Sequence, residues 1–199
     1  MKHLDKRSDF SSDEQFANFR SLILNDKESN IFFRSASSTR NLYGRMETVK
    51  RIMQEKSIKT TIDITRIEHR CFDDEFGFKL IEQFRKILTK EGPYIIQCDA
   101  GKKRTGFACI LLEMLSGTHY SLIAQDYLKS YTNNNGLNPT KDYDIIKRLK
   151  HKRVDSIIRF IGNTNTDIAN INFANAAKSY LIKYGFSEHE IRELQKRLL

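Results

Sequence analysis

Two periodicities alternate along the first half of the chain. Apolar residues return at helical spacing over residues 41–56, where Leu42, Met46, Val49, Ile52 and Met53 share one face, and over 74–90, where Phe76, Leu80, Phe84, Ile87 and Leu88 do so. Gly92 and Pro93 close the second helix. Between them TTIDIT, residues 60–65, is β-branched and short, which predicts a buried strand, and YIIQC at 94–98 is the next strand. NIFFRSAS offers a short strand ending at Arg34 and Ser35. The earlier FANFRSLIL follows a capping-box pair, Ser12 and Gln15, and supports no single conformation.

Beyond residue 103 the alternation gives way to helices. RTGFACILLEMLSG is apolar nearly all round and ends at Gly117, as expected of an element packed in the centre of a domain. SLIAQDYLKSY is a further helix stopped by the Asn-rich TNNNGLN, and Asn138 with Pro139 opens another in cap-then-proline order. IGNTNTDIANIN is polar and predicts an exposed connection, and Ser187 and Glu190 repeat the capping-box spacing before EIRELQKRLL, a terminal amphipathic helix. Strand and helix alternating before a nearly continuous apolar strand predict an α/β fold, a mostly parallel sheet flanked by helices, with a helical C-terminal region. The expected organisation is one domain over 1–199, with a sheet-containing core at about 1–117 and helices at about 118–199.

Composition narrows the chemistry without choosing it. A chain of 199 residues can bury roughly 70 percent of its unfolded surface in one core. With 34 Lys and Arg against 25 Asp and Glu, a formal charge of +9 favours anionic partners. Those are nucleic acid, an anionic membrane touched peripherally, or a phosphorylated substrate. The first is not expected, because no aromatic-interleaved nucleic-acid motif is present. The densest basic cluster, Lys147, Arg148, Lys150, His151, Lys152 and Arg153, reads as a solvated helix face. Three cysteines, Cys71, Cys98 and Cys109, exclude a disulfide framework and suit a reducing compartment. Neither an apolar signal core nor 18 consecutive apolar residues occurs, so no transmembrane segment is expected and a cytoplasmic location is, with export by a specialised secretion system left open. The five histidines lack paired ligand spacing, so no metal is expected.

The chemistry concentrates in IIQCDAGKKRTGF at 95–107. A strand ending in cysteine, then a tight loop with a central glycine, then a helix, points backbone N–H groups into one concavity at the positive end of that helix. Such a nest binds a dianionic phosphate through the loop formed by Asp99, Ala100, Gly101, Lys102, Lys103 and Arg104, and it favours the thiolate form of Cys98 as a nucleophile. Arg104 can reach back with a planar fork that matches two phosphoryl oxygens. Gly101 permits a positive φ, and the Thr105 hydroxyl can hydrogen-bond the Cys98 sulfur as a leaving group. A Walker A loop is excluded, because Gly101-Lys102-Lys103 lacks its Gly-Lys-Ser/Thr ending. Cys71 and Cys109 read as small buried hydrophobes, and Arg34 as either a pocket-mouth residue or an ordinary surface or capping arginine.

Cys98, Gly101, Arg104 and Thr105 match the Cys-x5-Arg-Thr/Ser signature, and CDAGKKRTGF resembles the loop of bacterial tyrosine and phosphoinositide phosphatases of the protein tyrosine phosphatase superfamily, which reads His-Cys-x-x-Gly-Lys-Asp-Arg-Thr-Gly. NFR at 18–20, FRSAS at 33–37, TIDIT at 61–65, QDYLKSY at 125–131 and SYLIKYGFSEHEI at 179–191 are similar to segments of that family. The resemblance implies a cofactor-independent hydrolase of phosphate monoesters that works through a phosphocysteine. Protein phosphotyrosine is the first substrate class, phosphoinositides or inositol polyphosphates the alternative, and a catalytically inactive phosphate-binding module the third reading.

Two positions depart from the family. Gln97 stands where the family has histidine, and Lys103 where it has an aspartate thought to serve as a general acid or to position substrate. The acid must then come from elsewhere. Asp73 and Asp74 in RCFDDEF are the first candidates, Asp63 and Asp126 the weaker ones. Lys102 and Lys103 beside Arg104 add positive charge that suits a polyphosphorylated ligand, which Asp99 partly cancels.

Overall fold

The computed structural model describes residues 4–199. A short helix α1 (Asp13–Ala17) ends at Asn18, whose left-handed φ of 51° turns the chain into strand β1 (Arg20–Leu24). β1 pairs antiparallel with β2 (Lys27–Ser35) through a two-residue connection in which Asn25 and Asp26 both take positive φ, 49° and 63°. Two consecutive left-handed residues match the right-handed twist of a hairpin, and Asn and Asp accept that conformation at low cost. Thus FANFRSLIL divides into a helix and a strand, and the strand expected to end at Arg34 and Ser35 extends back to Lys27 because it has a hairpin partner.

The sheet then becomes parallel. After α2 (Met46–Glu55), β3 (Thr60–Asp63), α3 (Asp74–Thr89) and β4 (Tyr94–Gln97), the strand order is β1-β2-β4-β3, with β4 parallel to both neighbours. Ser35, Gln97 and Asp63 stand abreast in the register, so three strands release their following segments at one edge. In parallel sheets this carboxyl edge is where ligands bind.

Side chains alternate across the sheet. Phe33 and Ile95 face a smaller cluster with Val49 and Ile52 of α2, and Phe32, Ile62 and Ile96 face the larger core built by α3 and the later helices. Phe32 stacks on Tyr94 with centroids 4.8 Å apart. The helix α4 (Lys103–Leu115) is buried at every residue from Thr105 to Leu115, which explains its all-round apolar sequence. α5 (Tyr120–Asn135), α6 (Tyr143–Leu149), a π-helical turn (Lys150–Asp155), α7 (Ser156–Gly162), α8 (Phe173–Lys183) and α9 (Glu188–Leu198) complete the chain. Ser187 and Glu190 form the expected capping box at α9. The described residues contain no helix long and apolar enough to cross a membrane.

Two helix starts differ from the periodic reading. α2 begins at Met46, not near 41, because Gly44 takes φ 67°, the Asn41 side chain accepts from Met46 N, and Leu42 lies out in solvent. The Asn138 carboxamide closes a turn by accepting from Thr140 N and Lys141 N, so α6 starts only at Tyr143.

Phe107 anchors the larger core, with its ring 5.3 Å from Phe76 and 5.7 Å from Tyr180. Phe107→Ala is expected to lower unfolding stability by about 3–5 kcal/mol, read from the urea midpoint at constant m-value.

Candidate active site

The loop that carries Cys98 leaves the carboxyl end of β4 and feeds directly into α4. Cys98 is buried at 4% exposure, and Gly101 N donates to Cys98 O at 3.0 Å, closing a turn. Gly101 takes φ 61°, and a Cβ there would lie 2.2 Å from Ser35 O. Backbone therefore packs on backbone, and only glycine fits.

What holds the loop is a polar cluster on its far side. Asn18 Nδ2 donates to Ala100 O at 3.2 Å and to Gly101 O at 2.8 Å, and Arg34 Nη2 donates to Gly101 O at 3.0 Å. A trans peptide carries its C=O and N–H on opposite sides, so Lys102 N–H points away from the Asn18 and Arg34 donors that hold Gly101 O. Asp126 on α5 binds both arginines: Arg20 Nε at 2.6 Å through one oxygen and Arg34 Nη1 through the other. Ser130 accepts from Arg20 at 2.9 Å and from Arg34 at 3.2 Å, and Asn133 donates to Asn18 Oδ1 at 3.1 Å.

Charge in this cluster follows from burial and pairing. Burial works to raise the Asp126 pKa, but Arg20 and Arg34 outweigh it and hold the carboxyl below its usual range. Glu113 on α4, fully buried, is pushed well above the usual range by desolvation and by the nearby Asp126 carboxylate. Asp126 is therefore the counter-ion for both guanidiniums. Arg34 is fully buried behind the loop, at neither the pocket mouth nor the surface, the two placements its sequence context suggested.

Arg104 is fixed by its terminal nitrogens. Nη1 donates to Ile64 O, Thr65 O and Ile67 O at 3.1, 2.6 and 2.9 Å, and Nη2 to Asp99 Oδ2 at 2.5 Å. Nε takes part in none of these bonds. Asp99 also lies 3.3 Å from Arg40 Nη1, so its carboxylate is shared between two arginines. The Thr105 hydroxyl is buried and has no hydrogen-bond partner among the described residues, the Cys98 sulfur included.

The two loop lysines behave differently. Lys103 is exposed at the first turn of α4. Lys102 turns to α5, donating to Asn135 Oδ1 at 2.9 Å with its ammonium 4.7 Å from the Tyr131 ring centroid, and burial brings its pKa down to about 8. Gln97, in place of the family histidine, accepts from Ser38 N at 3.1 Å and donates to Ser38 Oγ at 2.9 Å, tying the segment after β2 to β4.

The acid candidates separate by their partners. Asp63 accepts from Thr65 N and from the hydroxyls of Thr65 and Thr39, and Asp126 is committed to the arginines. Asp74 Oδ1 accepts from Tyr184 OH at 2.5 Å and Lys183 Nζ at 2.9 Å, which lower its pKa. Asp73 is exposed at the N-cap of α3, where it accepts from Arg70 N at 3.0 Å. Burial raises Cys71, to about 12, and Cys109 further still, consistent with inert thiols.

Residues 35–199 match the sequence profile of the tyrosine phosphatase family. The chain belongs to that family. No curated protein matches it. Membership makes the protein a phosphatase with a phosphorylated substrate, and places the Cys98 loop inside the matched region. Asn18, Arg20 and Arg34, which support the Cys98 loop, all lie before that region; of the three the sequence singles out only Arg34, as a pocket-mouth or surface residue, and the segments NFR and FRSAS that contain them are the available signal.

Asp126→Asn leaves the buried Arg34 and the partly buried Arg20 without their counter-ion and is expected to cost about 3–5 kcal/mol of stability, measured by denaturant unfolding. Gly101→Ala is expected to weaken inorganic phosphate binding, measured by calorimetry, because the loop must move off Ser35.

Proposed function

We propose that this phosphatase hydrolyses phosphate monoesters through a phosphocysteine, with protein phosphotyrosine as substrate. The observation that carries the reading is that Cys98 and Arg104 bracket one loop whose Ala100 and Gly101 carbonyls are held by Asn18 and Arg34. Arg104 is anchored through Nη1 and Nη2, which orients the guanidinium before substrate arrives. In this reading the Cys98 thiolate attacks phosphorus, the S–P bond forms as the ester P–O bond breaks, and the leaving oxygen takes a proton. The loop amides and Arg104 stabilise the equatorial oxygens. Water then attacks phosphorus, and the thiolate departs with inorganic phosphate released.

Of the two favoured acids, Asp74 is held ionised by Tyr184 and Lys183, which favours Asp73 as the donor. Asp99 contributes through its backbone and by steadying Arg104, its carboxylate being directed at arginines and not at phosphate. Exposed Lys103, and half-exposed Arg40 beside Asp99, favour as second reading a substrate with more than one phosphate, such as a phosphoinositide or inositol polyphosphate.

Phosphate release from phosphotyrosine peptides, phosphoserine peptides, phosphoinositides and soluble inositol phosphates tests both readings. Cys98→Ser is expected to abolish release, and Arg104→Lys to lower kcat/KM roughly 10²–10³-fold by loss of a preorganised donor. Release unaffected by Cys98→Ser would remove the mechanism; phosphate-ligand binding without release by the wild type would replace it with a binding module. Lys102 loses its charge as pH rises through about 8, so KM for the dianionic ester is expected to rise above that pH in the wild type and to stay flat in Lys102→Gln, read from a KM–pH profile.

A further inference from the structure

A cavity of about 950 Å³ opens between the start of α5, the π-helical turn, α7 and the segment leading into α8, and none of the catalytic loop lines it. Its volume lies in the range of small-molecule sites, and π-helical turns occur preferentially at functional positions. The walls combine two rings and two cations. Tyr120 and Phe173 meet edge to face with centroids 6.4 Å apart, and Lys150 Nζ sits 4.7 Å from the Tyr120 centroid. Arg159 enters from α7 with Nε donating to Thr166 O at 3.2 Å.

Charge pairing shows what is left to bind. The buried Asp155 is spoken for on both oxygens, by Tyr120 OH at 2.5 Å and His151 Nδ1 at 2.8 Å, and His119 Nδ1 is bonded to Ser121 Oγ at 2.9 Å. Lys150 and Arg159 take part in no ion pair among the described residues, and nor does Asp167, the exposed acid in the lining. Two rings set edge to face, two cations and one carboxylate, the charges outside any ion pair among the described residues, thus share one concavity.

We propose that this cavity is a second, non-catalytic binding site for an aromatic ring that carries an anionic group and a hydrogen-bond donor. The ring packs on Tyr120 and Phe173, the anion lies between Lys150 and Arg159, and the donor meets Asp167. The adjoining basic residues on the π turn, which read from sequence as a solvated face, are thereby divided, because Lys150 and His151 line the cavity and Lys152 and Arg153 do not.

The probe is 6-amino-2-naphthoate, a fluorescent aromatic acid with no phosphate ester, so its binding is independent of catalysis. Titrated into the full chain, it is expected to give saturable fluorescence enhancement that is unchanged in Cys98→Ser. Arg159→Gln and Asp167→Asn, both at accessible positions, should each weaken it roughly tenfold, with unfolding temperatures unchanged. No saturable enhancement, equal affinity in a Lys150→Gln/Arg159→Gln double variant, or loss of binding in Cys98→Ser would each overturn the proposal.

Discussion

One carboxylate organises the functional end of this molecule. Asp126 neutralises the fully buried Arg34 and the largely buried Arg20, and those arginines, with Asn18, support the Cys98 loop. A buried guanidinium without a partner is among the costliest arrangements a fold can contain. The cluster is therefore tolerable only when complete, and when complete it leaves the loop one conformation. Gly101 completes the constraint from the other direction, because the loop lies on the backbone of Ser35 with no room for a side chain.

The sheet determines where this happens. Ser35, Gln97 and Asp63 end their strands side by side, so the segment after β2, the Cys98 loop and the segment after β3 emerge as neighbours. Each is then tied to the next: Gln97 bonds Ser38, Arg104 bonds the carbonyls at 64, 65 and 67, and Asp63 bonds Thr39. The ties among these three segments are consequences of strand register.

Much of this was legible in the chain, for reasons that also mark the limit. β3, α3, β4 and α4 carry strong local periodicity, and the Cys98 loop has a spacing whose chemistry can be argued without a fold. β1 was not legible, since its turn, Asn25–Asp26, lacks the glycine that usually announces a hairpin. The support behind the loop was hidden by distance: Arg20 and Arg34 lie 106 and 92 residues from Asp126, and no local pattern links an acid in one helix to arginines in a hairpin. Asp126 was accordingly weighed as a proton donor when its surroundings make it a counter-ion.

That separation orders events as the polypeptide is synthesised. The Cys98 loop and both arginines leave the ribosome before α5, and until Asp126 emerges the two guanidiniums stay with water, because nothing inside the fold can neutralise them. A growing chain thus already contains Cys98 but not the carboxylate that anchors the support of its loop. The loop gains its full support only once α5 supplies Asp126, so the candidate site is completed late although its residues are translated early.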